Sequence, residues 1–294
     1  MSRNLGRSEA EAWSLKRIAV RKYLKNRAAT TSLVLLLILV VSAVFAPVFA
    51  THDISATNLR KILQPPSSEH LLGTDNVGRD VFSRFLFGGR ITILVSVCSM
   101  LLQLFIGSTL GAIAGYFSGI VDMFMARATD AVMSFPFLVI SMSVLVVLDS
   151  STFKLIMVIG LLMWPRIFRV VRAEVIRLKN MDYVLSARAL GLSASEVLVF
   201  HLLPNMFSLI VVSCTLSIAQ GILIEASMSF LGLGVQPPQP SWGNMLSAAQ
   251  NMSIFQHNWW LWIPAGSLVV ITALAFNFVG EGLRDALDPM SMFH

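Results

Sequence analysis

At 294 residues, 55% hydrophobic and 13% charged, with a mean hydropathy of +0.73, the chain has too little polar surface to coat a soluble globule. Its apolar runs approach the roughly 20 residues that span a bilayer and lack the period-two alternation of barrel strands, which leaves an all-α, polytopic membrane protein. The formal charge of +6 does not point to nucleic acid, because the basic residues cluster beside the apolar runs, where membrane-flanking loops carry them.

In chain order, residues 1–30 form a basic leader and residues 31–50 a first predicted span, read as an uncleaved signal anchor because the run is long enough to cross the whole membrane. Residues 51–90 form a polar loop. Within it Gly73, Asp75, Gly78, Arg79 and Asp80 make a turn-rich, charge-balanced segment with two readings: a docking surface for an extracytoplasmic partner, or acids and arginine paired with one another.

Residues 91–280 hold five more predicted spans, at 91–116, 131–148, 155–171, 206–230 and 259–280, which makes six in all. Gly107, Gly111 and Gly115 recur every fourth residue along the second, a small-residue stripe expected at a helix interface, within the chain or between subunits. Pro47, Pro136, Pro165 and Pro264 fall in or near spans as kinks or helix ends. Glu225 lies inside the fifth span, where an ionisable group is costly; it is expected near the outer interface, against a partner subunit, or at the substrate. The loop 236–240 (QPPQP) and Trp242 precede the last span, and Trp259, Trp260 and Trp262 cluster at its start as headgroup-level anchors. Residues 281–294 form a tail.

The longest polar interruption is the loop 172–205. Asp182 is expected to cap a helix over residues 183–190, with Gly191 as its stop. Ser193 and Glu196 form an S-x-x-E capping box that opens a second helix, which Pro204 is expected to interrupt. Small Ala187 and Ala189 keep the first helix slim enough to lie in a groove on another protein.

Lysine and arginine set the orientation. With the N-terminus inside, sixteen of them face the cytoplasm, and only Arg60, Lys61, Arg79, Arg84, Arg90 and Lys154 lie outside. Both termini and the 172–205 loop are thus expected in the cytoplasm.

Cys98 and Cys214 fall in predicted spans without metal-binding spacing and read as apolar fillers. His52, His70, His201, His257 and His294 form no i, i+4 pair, so no metal site is expected; the methionines read as flexible core filling. There is no G-x-x-x-x-G-K-[ST] cradle for nucleotide phosphates, no G-x-S-x-G elbow, and no obvious inverted repeat. A nucleotide-hydrolysing chain, an intramembrane hydrolase and a stand-alone carrier are therefore the weaker readings.

Residues 183–205 (YVLSARALGLSASEVLVFHLLPN) resemble the EAA loop of ABC-importer permeases. Ser186 and Ala187 stand at its two alanines, Gly191 at its glycine, and Leu203 and Pro204 at its end, while Leu185 replaces the glutamate. Residues 70–84 (HLLGTDNVGRDVFSR), 225–246 (EASMSFLGLGVQPPQPSWGNML), 275–289 (AFNFVGEGLRDALDP) and 21–54 are similar to the second permease subunit of the dipeptide/oligopeptide/nickel branch. The resemblance implies a type I importer permease fold that translocates peptides, with nickel or a metal chelate as the alternative cargo. It implies a second homologous permease, two ATPase subunits and an extracytoplasmic binding protein as partners. It places ATP and magnesium on the ATPases, with no cofactor on this chain. ATPase coupling is then expected at Tyr183, Ser186, Ala187, Arg188, Leu190, Gly191, His201 and Pro204, and extracytoplasmic docking at Asp75, Arg79, Asp80 and Trp242.

Overall fold

A computed structural model describes residues 19–148 and 151–287. Arg3, Arg7, Lys16 and Arg17 of the basic leader, and residues 288–294 of the tail with His294, lie outside the described residues.

The chain is helical. Helix α1 (Arg27–Val44) starts where the Asn26 side chain accepts the Ala29 N–H, and it breaks at Phe45 before the short turn Ala46–Phe49, with Pro47 in the first turn, where its missing N–H costs nothing. Helix α2 (Val81–Phe117) is capped by Asp80, which accepts from the Ser83 N–H at 2.8 Å. At 37 residues it is about 55 Å long, well beyond the hydrocarbon thickness. It stops at Ser118 and Gly119, both with positive φ, and α3 (Gly119–Met133) leaves in a new direction. The chain then bends by 79° into α4 (Phe137–Val147) at a break that contains Pro136. Helix α5 (Thr152–Leu178) keeps its course through Pro165. The short α6 (Asp182–Ala189) precedes α7 (Phe207–Phe230), α8 (Trp242–Leu246) and α9 (Ile263–Leu287).

Helices α1, α2, α7 and α9 are each long and apolar enough to cross a membrane, and the bent α3–α4 pair brings the number to five if it counts as one span. Helix α5 is long enough, but Arg166, Arg169, Arg172 and Arg177 crowd its second half. Among the described residues there is no strand, only an isolated bridge between Thr74 and Asp80.

Several predicted bounds shift. Helix α2 begins ten residues ahead of the predicted span at 91, because Gly88 and Gly89 lie flat against Trp242; a Cβ on Gly89 would stand 2.6 Å from that indole. The single predicted span 131–148 is instead the broken pair α3–α4. The last span starts at Trp259 as expected, with the turn Trp259–Leu261 leading into α9 at Ile263, and runs on to Leu287 rather than 280.

The glycine stripe sits inside the chain, not between subunits. A Cβ at Gly107 would lie 2.8 Å from Ile167 Cβ, at Gly111 2.7 Å from the Phe168 carbonyl oxygen, and at Gly115 2.8 Å from Val175 Cβ. Both partners advance together, so α2 and α5 run parallel in backbone contact. Helix α7 packs antiparallel on α2, α9 on α7, and α1 on α9, where Gly282 meets Ala29.

Near the end of α7, Glu225 is fully buried. Its Oε2 accepts from Thr92 Oγ1 at 2.9 Å and its Oε1 from Ser229 Oγ at 2.7 Å, while Thr92 Oγ1 also accepts the Trp242 N–H at 3.2 Å. The carboxyl group thus ties α7, α2 and α8 within one subunit. It has no surface left for substrate or partner.

Two tests follow from this packing. Gly111→Leu should lower the detergent unfolding midpoint through overpacking of about 1–3 kcal/mol, and an unchanged midpoint would contradict the close α2–α5 contact. Glu225→Ala should destabilise by about 1–3 kcal/mol by orphaning two buried hydroxyls, while Glu225→Gln, which keeps an acceptor, should retain most of the stability in the same assay.

Candidate functional site

The 172–205 loop is a compact lever seated on the end of α5. Helix α6 begins at Asp182 rather than being capped by it; Met181 holds the cap position with no side-chain bond, and the Asp182 carboxylate lies in the first turn, where the helix dipole favours it. The stop is a Schellman turn: Leu192 N–H donates to the Ala187 carbonyl, Gly191 N–H to that of Arg188, and Gly191 takes φ +86°. The capping box forms as the sequence implies. The Ser193 N–H and hydroxyl donate to Glu196 Oε2 at 2.7 and 2.6 Å, and these bonds hold the Glu196 carboxyl below the usual carboxylate range.

Pro204 does not break the second helix. It follows a wide π-turn, Val197–Leu202, after which the helix resumes over Leu203–Asn205 and meets α7 across Met206. With no N–H to donate and a ring that crowds the preceding turn, Pro204 favours such widening.

Buried Val184, Val197, Leu202 and Met206 form the seat with Val171, Val175 and Leu178 of α5. Ala187 is buried as well, at 5% exposure, so it is not a slim outward face. Polar clamps reinforce the joint. Lys179 Nζ donates to the Gly115 carbonyl at 2.8 Å and to Ser118 Oγ, placing a cation at the C-terminus of α2. Arg172 forms a two-pronged pair with Asp122 of α3, with Nη2 to Oδ2 at 2.6 Å, and Arg169 reaches Asp130 at 2.8 Å. Sequence reasoning counted Arg169 and Arg172 only as orientation charges. The signal for their role lay in the two aspartates of α3, which have no other reason to stand in so apolar a stretch.

The rest of the lever looks away from the bundle. Tyr183, Leu185, Ser186, Arg188, Leu190, Gly191 and Pro204 are exposed, and His201 is half-buried. Leu190 is 82% and Phe200 70% exposed, so apolar side chains project from a polar segment. Leu185, at the position of the family glutamate, is likewise an exposed apolar side chain in place of a charge.

At the opposite end of the bundle, Asp75 and Arg79 satisfy one another: Asp75 Oδ1 accepts the Arg79 N–H at 2.9 Å and Oδ2 accepts Arg79 Nε at 2.7 Å. Arg84 Nη1 donates to the carbonyls of Ile54 and Pro238 at 3.0 and 3.2 Å, stitching the outer loops together. Asp80 and Trp242, expected at a docking surface, are both 2% exposed, and Trp242 Nε1 donates to the Phe85 carbonyl at 3.1 Å. They are structural: Asp80 caps α2 and Trp242 fills the space over Gly88 and Gly89. Beside them a cavity of about 680 Å³ opens, with Asp75, Arg79, Gln236, Asn244 and Asn251 on its wall.

Comparison with known proteins agrees with this architecture. Residues 107–291 match the family described as "Binding-protein-dependent transport system inner membrane component", and residues 14–66 match the "N-terminal TM domain of oligopeptide transport permease C". The chain is 39% identical to the oligopeptide transport system permease protein OppC of Bacillus subtilis over 276 residues, covering 94% of this chain and 90% of that protein. It is 35% identical to the dipeptide transport system permease protein DppC of Alkalihalophilus pseudofirmus over 273 residues, covering 93% and 89% respectively. An apolar helical bundle, a lever mounted on its longest parallel pair, and full-length similarity of this kind make the chain a member of the family of inner membrane components of binding-protein-dependent transport systems.

Proposed function

We propose that this chain is the second of two permease subunits in an ATP-driven importer that carries di- and oligopeptides across the cytoplasmic membrane. The observation that carries the reading is the lever: a capped, clamped segment with outward apolar side chains, fixed to α5 and continuous with α7. The relatives named for oligopeptide and dipeptide transport support peptides over nickel or a metal chelate.

The chain crosses the membrane six times, through α1, α2, the bent α3–α4 pair, α5, α7 and α9. The lever end is cytoplasmic together with both termini, in keeping with the excess of lysine and arginine on that side. The Asp75 to Arg84 loop and the Trp242 segment face outward, toward the binding protein.

ATP and magnesium are held by two separate ATPase subunits, each of which receives one lever; the other lever belongs to the homologous permease. Nucleotide acts by binding one arrangement of the complex more tightly, and inverting a 1:99 population takes about 5.5 kcal/mol of differential affinity. Leu190, Leu185, Tyr183 and Phe200 enter the ATPase groove, and the seat on Val171, Val175 and Leu178 passes its displacement to α5 and α7.

Co-expression with the neighbouring genes should allow a tag on this chain to recover a second permease and two ATPases, with ATP hydrolysis in the complex but not in the isolated chain; peptide uptake by this chain alone would refute the assignment. Leu190→Glu should reduce ATPase capture and peptide uptake at least tenfold, the loss of about 1.4 kcal/mol or more from an apolar anchor, without changing the amount of inserted protein. Undiminished uptake in that variant would remove the lever from the coupling path.

A further inference from the structure

Two histidines that are well separated in the chain meet beside the start of α2. The His52 and His70 rings lie 4.7 Å apart, inclined by 33°. His70 Nδ1 is 2.9 Å from Asp80 Oδ1, and His52 Nδ1 is 3.7 Å from that same oxygen. One ligating atom from each of the three residues falls within 4.8 Å of the others.

The carboxylate divides its two oxygens. Oδ2 accepts the capping N–H of Ser83 at 2.8 Å and has the Thr51 hydroxyl at 3.5 Å, which leaves Oδ1 turned toward both imidazoles. The backbones that carry the rings are also pinned. His52 N–H donates to Ser83 Oγ at 3.0 Å and His70 N–H to Ser67 Oγ at 3.1 Å, while the His70 carbonyl accepts from the Ser67 and Gly73 N–H groups at 2.8 Å each. His70 and Asp80 are buried, and the His52 side chain is 35% exposed.

One imidazole N–H is enough to satisfy Asp80 Oδ1. His52 Nδ1 lies 3.0 Å from the Thr51 hydroxyl and 3.7 Å from Asp80 Oδ1, so the second ring adds nothing to that hydrogen bond; exchanging the Thr51 contact for a cation completes the donor set of a metal. Zinc-class ions take nitrogen at about 2.0–2.1 Å and carboxylate oxygen at about 2.0–2.2 Å, so neighbouring ligand atoms of a tetrahedral site stand about 3.4 Å apart. The observed separations of 2.9 and 3.7 Å bracket that value.

We propose that His52, His70 and Asp80 form a binding site for a divalent transition cation of the zinc class, with two imidazole nitrogens and one carboxylate oxygen as ligands and water at the open position beside His52. Imidazole and carboxylate together suit zinc, cobalt or nickel rather than calcium or magnesium. The cation would staple the segment that leaves α1 to the cap of α2, a structural role separate from the cargo and independent of the peptide reading.

The test uses the full-length chain in detergent, stripped with a chelator and titrated with Co²⁺. A single cation per chain should bind with the visible absorption of low-coordinate cobalt, and Zn²⁺ should displace it and raise the unfolding midpoint. His52→Gln should weaken binding at least tenfold and abolish the Zn²⁺-induced shift, while its metal-free midpoint stays that of the parent because the backbone contact to Ser83 remains. His52→Cys should restore binding and add thiolate-to-cobalt charge-transfer absorption. If the parent chain binds Co²⁺ no better than His52→Gln, or if His52→Cys shows no thiolate band, the site does not exist.

Discussion

The close approach of α2 and α5 is the contact on which the remaining structure depends. Three glycines at 107, 111 and 115 remove the side chains that would hold two parallel helices apart, and the backbone of α5 settles into the groove they leave. In lipid, where apolar tails compete with every apolar side chain, such backbone proximity gains dispersion contacts that bulkier residues cannot reach. Because the pair runs parallel, one end of it carries the lever and the other carries the outer loops.

At the lever end, apolar burial and charge act together. Val184, Val197 and Leu202 bury themselves in one cluster with α5, while Lys179 binds the last carbonyls of α2 and Arg172 binds Asp122 of α3. The segment is thus joined to three helices through short, directional contacts. At the other end, Glu225 plays the corresponding part with Thr92, Ser229 and the Trp242 backbone. It is a buried carboxyl group whose donors come from its own subunit.

Much of this was legible in the sequence because the relevant forces are local. Apolar run length located α1, α7 and most of α9, and the Ser193 to Glu196 box and Gly191 gave the joints of the lever. The failures were of long-range origin. Residues 81–90 read as loop because Arg84, Gly88, Gly89 and Arg90 are poor span formers, yet Trp242, donating to Phe85 from 157 residues away, makes them helix. Trp242 and Asp80 looked like surface residues for the same reason, since nothing local announces burial. Ala187 looked like a slim outer face because helix periodicity alone does not say which side of α6 is covered. The direction in which the glycine stripe points, inward rather than across a subunit boundary, likewise depends on a helix that begins 35 residues after Phe117.

The wide turn at Val197–Leu202 also sets the phase of the second lever helix. Val197 and Leu202 are five positions apart and both fully buried in the same cluster. On a regular α-helix, at about 100° per residue, they would point about 140° away from each other, so only the wider winding lets both face α5. Tightening that turn would swing one of the two out of its seat and rotate everything beyond Pro204 about the axis of α7. The winding of this segment and the docking of its side chains therefore depend on one another.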